Sequence, residues 1–127
     1  MSQELYILTY AISEIVSVLE WLKNVFHDQW FPLANNVAHL GQGDVQPGLG
    51  RAIIETDINR NVTHAQGASY LGVLLQDLMI FEWNNINKGI QWRLRNPISA
   101  WLFNDDGKIN MAILNATLCS HRDLFLD

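Results

Sequence analysis

The chain has 127 residues, of which 49% are hydrophobic and 17% are charged, and its net charge at pH 7 is −5. This length and composition are typical of one folded domain and exclude a disordered chain. The single cysteine, Cys119, excludes an internal disulfide. Because an acidic chain repels phosphates, we expect no nucleic-acid partner.

Apolar residues in the first part of the chain recur at alternating steps of three and four, which places them on one face of a helix. They are Leu5, Leu8, Ile12, Ile15, Leu19, Leu22 and Phe26. We therefore predict a long helix over residues 3–26. Glu14 and Glu20 lie inside this span, which argues against a membrane segment, and no basic residues precede it as they do in a signal peptide. The expected location is cytoplasmic.

A loop and a second long helix are predicted next. Residues 41–50 contain four glycines, which is typical of a loop. Residues 64–87 carry a second apolar stripe at helical spacing, and Thr63 with Gln66 has the form of a capping box before it. We therefore predict a helix over 64–87. Ala65, Ser69 and Gly72 form a ridge of small residues on this helix, so we expect another helix to pack closely against it.

The last third of the chain supports two predictions. Residues 90–95 alternate apolar and polar side chains, as in a strand. Residues 98–103 and 109–119 fit two short helices, but they also fit the strands of a hairpin closed by an Asp-Gly turn. The helical interpretation is preferred.

The predicted fold class is therefore all-α. One domain covers residues 1–127 as a helical bundle, with the two long helices packed together and shorter helices around them. The alternative is an α+β fold with a small hairpin within residues 90–115.

The sequence contains no motif that identifies a chemistry. The four histidines have neither the spacing nor the neighbours of a zinc motif, and the glycines of 41–50 do not form a phosphate loop. We therefore predict no metal, no cofactor and no catalytic residue. Arg60 and His64 resemble the Arg–His pair of HEPN-type helical ribonucleases, although fewer residues separate them than that pattern requires. A small helical nuclease or ligand-binding protein that uses these two residues is one alternative.

The leading hypothesis is a small acidic protein-binding module. Residues 1–50 hold five acidic residues against Lys23 alone, and an acidic surface attracts a basic partner. Tryptophan is enriched at binding hot spots. The predicted partner-binding residues are Glu14, Glu20, Trp21 and Asp28. Immunity proteins that neutralise toxins and phage-encoded inhibitors are proteins of this kind. A homodimer, completed by the apolar stripe of the first helix, is a further alternative.

Overall fold

The computed structural model describes residues 11–34, 47–57, 65 and 67–120. The described part contains five helices and a three-stranded antiparallel sheet. In chain order the elements are α1 (Ile12–Phe26), β1 (Phe31–Pro32), α2 (Leu49–Thr56), α3 (Ala68–Asp77), β2 (Phe81–Trp83), β3 (Gln91–Leu94), α4 (Ile98–Leu102) and α5 (Met111–Ser120). The fold is mixed, so the prediction of an all-α bundle is wrong.

The sheet has the strand order β1–β3–β2. Phe31 pairs with Trp92 on one side of β3, and Phe81 pairs with Leu94 on the other. Trp92 and Leu94 are buried, whereas Arg93 between them is only partly buried. The apolar and polar residues that predict a strand over 90–95 are thus side chains of this central strand that alternate between the core and the surface.

The predicted helix over 3–26 is observed as α1 only from Ile12 onward. Ala11 is extended, with φ −70° and ψ 154°, so no helix passes through it. The backbone N–H of Ala11 donates to Glu14 Oε1 at 3.1 Å, which satisfies one of the donors that a helix N-terminus leaves unpaired. Residues 3–10 lie outside the described part of the chain.

The predicted helix over 64–87 is too long. The helix α3 ends at Asp77, and Met79 adopts a left-handed conformation with φ 66°. The N–H of Ile80 donates to the carbonyl of Leu75 and the N–H of Met79 to that of Gln76, which together form a Schellman motif. The chain then enters β2, where cross-strand pairing replaces the helix. The prediction is wrong because the apolar spacing continues through Phe81, and Phe81 is buried although it lies on a strand.

The hairpin predicted as the alternative is also wrong in its placement. Over 98–102 and 111–120 the chain is helical, and only Phe103 and Ile109 form an isolated bridge across the turn 104–108. Asn110 follows this turn, and its Oδ1 accepts hydrogen bonds from the N–H groups of Ala112 and Ile113, at 3.1 and 3.3 Å. This capping favours a helix after the turn instead of a strand.

The core lies between the helices and one face of the sheet. A row of aromatic rings crosses it, with centroid distances of 5.4 Å from Phe26 to Phe31, 5.2 Å from Phe31 to Phe81 and 6.2 Å from Phe81 to Trp92. The apolar stripe of α1 packs against α2 in the same chain. Ile15, Leu19 and Leu22 of this stripe, and Val18 beside them, are at most 1% exposed. This part of the helix is therefore buried inside the chain, and the homodimer stays a prediction.

Most of the predicted loop over 41–50 lies outside the described residues, but its end is visible. Pro47 and Gly48 precede α2, which begins at Leu49. A Cβ built at Gly48 would lie 2.5 Å from the carbonyl oxygen of Pro32. The glycine thus allows the start of α2 to approach β1 closely.

Candidate functional site

Two of the four predicted partner-binding residues line one groove. Glu20 and Trp21 lie on α1, and the turn 104–108 forms the opposite wall. We call this cavity of about 620 Å³ the α1 groove. Glu14 and Asp28 do not line it.

Glu20 connects α1 to the turn. Its Oε2 accepts the backbone N–H of Ile109 at 2.8 Å, and its Oε1 lies 4.0 Å from Lys108 Nζ. The side chain is 26% exposed. Glu20 therefore has a structural role in holding the turn 104–108 against α1.

The other two predicted carboxylates are also used within the chain. Glu14 accepts the N–H of Ala11 at the start of α1, and Asp28 lies 3.6 Å from Lys23 Nζ. Only the contact of Asp28 is an ion pair, and an ion pair near the surface is weak and screened by salt. The hydrogen bond of Glu14 comes from a neutral N–H group and offsets no charge, so of these two contacts only that of Lys23 reduces the negative charge predicted for this face.

Trp21 is half-buried and packs against the core. Its ring meets Phe26 edge-on at a centroid distance of 6.3 Å. The rest of the indole lines the α1 groove beside Glu20. A large aromatic surface held in place by the core is the kind of surface that serves as a binding hot spot.

Sequence reasoning missed the carboxylates on the opposite wall of the α1 groove. The sequence predicts a turn at Asp105 and Asp106 and no binding role for them, yet both line the groove. Asp106 Oδ1 accepts the N–H of Lys108 at 3.1 Å. Among the described residues, Asp105 has no hydrogen-bond or ion-pair partner. The turn was recognisable from its composition, but its position opposite α1 depends on the tertiary contact made by Glu20.

A second groove lies at the other end of α4, and sequence reasoning missed it entirely. It has a volume of about 380 Å³ and is lined mainly by apolar side chains, with Arg95 at its edge. Trp101 is 61% exposed there and Met79 is 50% exposed. We call this cavity the Trp101 groove. The five-residue helix that presents Trp101 is too short for its outward face to be predicted from spacing.

The outer face of the sheet carries an ion pair in a favourable geometry. Arg93 donates from Nε and Nη2 to the two carboxylate oxygens of Glu82, both at 3.1 Å, and its guanidinium lies 4.4 Å from the ring centre of Trp30. The hydrogen bonds from Arg93 lower the pKa of Glu82 below its usual range, and the positive charges of Arg93 and Arg95 act in the same direction. This pair is structural because it joins β2 to β3.

The alternative site at Arg60 and His64 stays a prediction, because both residues lie outside the described part of the chain. Within the described ranges, no three side chains of His, Cys, Asp or Glu come together so that they could hold a metal ion. None of the helices described there has both the length and the apolar character needed to cross a membrane.

The helix α3 contains neither lysine nor arginine, and its most exposed large apolar residues are Tyr70 and Val73. The expectation that the chain has no nucleic-acid partner stays a prediction.

No known protein family, curated protein or solved structure matches this sequence. The function must therefore be argued from the two grooves and their chemistry.

Proposed function

We propose that the chain is a non-catalytic protein-binding module that holds a basic segment of its partner in the α1 groove. The observation that carries this proposal is that Trp21 and Asp105 lie on opposite walls of the same groove. The ring offers a partly exposed aromatic surface, and the carboxylate has no partner among the described residues. A lysine or arginine side chain can satisfy both, through a cation–π contact and an ion pair.

The charges around the groove support a basic occupant. The two cations that line it are already compensated, because Lys23 lies 3.6 Å from Asp28 and Lys108 lies 4.0 Å from Glu20. Lys23 Nζ also lies 5.5 Å from the ring centre of Phe103. The net charge of −5 adds a long-range attraction that accelerates the encounter with a basic protein. Inhibitors and immunity-type proteins act in this manner, by occupying the working surface of a basic partner.

The test is a quantitative pull-down from the native host, followed by affinity measurement with the purified partner. Wild-type protein should capture a basic protein, and the affinity should fall as salt is added. Trp21→Ala should weaken binding about tenfold or more, and Asp105→Asn by about threefold.

Asp77→Asn is the matched control, because it removes an exposed carboxylate at the end of α3 that does not line the groove. It should leave the affinity close to that of wild type. Salt-insensitive capture, or equal capture by the Trp21→Ala protein, would contradict the proposal.

A further inference from the structure

The Trp101 groove differs from the α1 groove in both polarity and charge. Its lining residues come from the turn after α3, the segment between β3 and α4, α4 itself and α5. The lining residues are Met79, Arg95, Pro97, Ile98, Trp101, Ile113, Ala116 and Thr117. Methionine adapts its shape to varied apolar ligands, and tryptophan contributes large contact area. Two such side chains, more than 40% exposed and next to one cavity, are typical of a docking surface.

Arg95 is the one ionisable group among the described residues that line this groove. Its Nε is buried and donates no hydrogen bond. Glu82 is near enough to feel its charge, but the hydrogen bonds of Glu82 are made with Arg93. Within the described part of the chain, no carboxylate lies within ion-pair distance of Arg95. No described residue accepts a hydrogen bond from the Arg95 side chain, so an acceptor brought by an occupant would be favourable at the guanidinium nitrogens other than the buried Nε.

We propose that the Trp101 groove binds an apolar segment of a partner protein that carries one aspartate or glutamate. The carboxylate of that segment lies on the Arg95 guanidinium, and a neighbouring apolar side chain lies between Trp101 and Met79. The guanidinium selects a carboxylate because its planar array of donors matches two carboxylate oxygens. The occupant is a peptide segment, because a peptide can hold a carboxylate on Arg95 and an apolar side chain over the exposed indole of Trp101 at the same time. This surface is separate from the α1 groove and has the opposite charge preference, so it does not depend on the function proposed above.

The proposal is tested with two blocked peptides, acetyl-Leu-Leu-Asp-Leu-amide and the same peptide with Asn in place of Asp. Binding is followed through the indole N–H signal of Trp101 in NMR spectra, identified by its loss in Trp101→Phe. The Asp peptide should bind about fivefold more tightly than the Asn peptide, which corresponds to one ion pair. Added salt should reduce this difference.

Variants separate the two contributions. Arg95→Gln should bring the two peptides to the same affinity, and Trp101→Ala should abolish the binding of both. Lys88→Gln, which removes a cation that does not line the groove, should preserve the difference between the peptides. Circular dichroism checks that each variant is folded. The comparison of the two peptides on wild-type protein needs no variant and tests the proposal even if Arg95→Gln does not fold.

Three results would overturn the proposal. The first is equal affinity of wild-type protein for the Asp and Asn peptides, or no binding of either. The second is tighter binding of octanoate than of the Asp peptide, which would assign the groove to a free aliphatic acid. The third is a dimer in sedimentation that Trp101→Ala dissociates, which would make a second copy the occupant. Trp101→Ala should leave capture through the α1 groove unchanged, so the failure of either proposal can be recognised separately.

Discussion

Gly72 lies beneath the indole ring of Trp92, the largest side chain that is fully buried in the described core. A Cβ built at Gly72 would come within 2.8 Å of three atoms of that ring. The ring cannot move away easily, because its Nε1 donates to Gln76 Oε1 at 3.2 Å. A close approach at Gly72 is therefore observed, but the element that approaches is the central strand β3 and not the predicted helix.

Gly72→Ala should lower the free energy of unfolding by about 1–2 kcal/mol. Alanine gains about 1 kcal/mol of helix propensity over glycine, but overpacking against a buried ring costs up to about 3 kcal/mol. Urea unfolding of the purified variant measures the difference. Ser69→Ala on the same helix is the control and should change stability by less than about 0.5 kcal/mol. A Gly72→Ala protein as stable as wild type would show that the Trp92 ring is free to shift.

Single contacts also decide how the elements are joined. The turn 104–108 reaches α1 through the hydrogen bond from the Ile109 N–H to Glu20, between residues far apart in the chain. This bond holds in place the turn that forms one wall of the α1 groove. A carboxylate that the sequence marks as a partner-binding residue is thus part of the framework that makes the groove.

Glu20→Ala should reduce the free energy of unfolding by about 1–3 kcal/mol, because it leaves the N–H of Ile109 without its charged acceptor. Chemical denaturation gives this value directly. Asp28→Ala serves as the comparison, since its ion pair with Lys23 is exposed and should contribute less than about 1 kcal/mol. If both variants lose the same small amount, the contact between Glu20 and Ile109 does not hold the turn.

The stability of the whole molecule depends on pH through the ion pair between Arg93 and Glu82, which joins β2 to β3. Glu82 has a pKa below its usual range in the folded protein because Arg93 donates two hydrogen bonds to its charged form. The unfolded chain therefore binds a proton on Glu82 at higher pH than the folded chain does. This contribution to stability is complete above the unfolded pKa of about 4.3 and is lost as the pH falls through the lower, folded value.

Wild-type protein should accordingly lose stability more steeply than Glu82→Gln does as the pH falls below about 4.3. Urea unfolding across that range measures both slopes. Arg93→Gln removes the same interaction from the other side and should flatten the profile in the same way. An unchanged slope in both variants would show that Glu82 does not contribute to acid unfolding.

Some of this organisation follows from local sequence. The spacing of apolar residues predicts α1 from Ile12 onward because those residues all pack on one side of a single helix. The alternation over 90–95 predicts β3 because successive side chains of a strand point to opposite faces, whatever the neighbouring strands are. The prediction of a helix over 109–119 is close to α5, which begins one residue after Asn110 caps it.

Other features were decided only by tertiary structure. A helical spacing continues through Phe81, but the Schellman motif at Met79 and the pairing with β3 make that segment a strand, and β3 is distant in the sequence. The same is true of the candidate sites: the sequence marks Glu20 and Trp21 on one helix face, but not the turn opposite them. Local spacing determines which side of an element is apolar, because that depends on neighbouring residues alone. Which elements meet, and therefore which carboxylate or guanidinium is left without a partner, depends on contacts between distant parts of the chain.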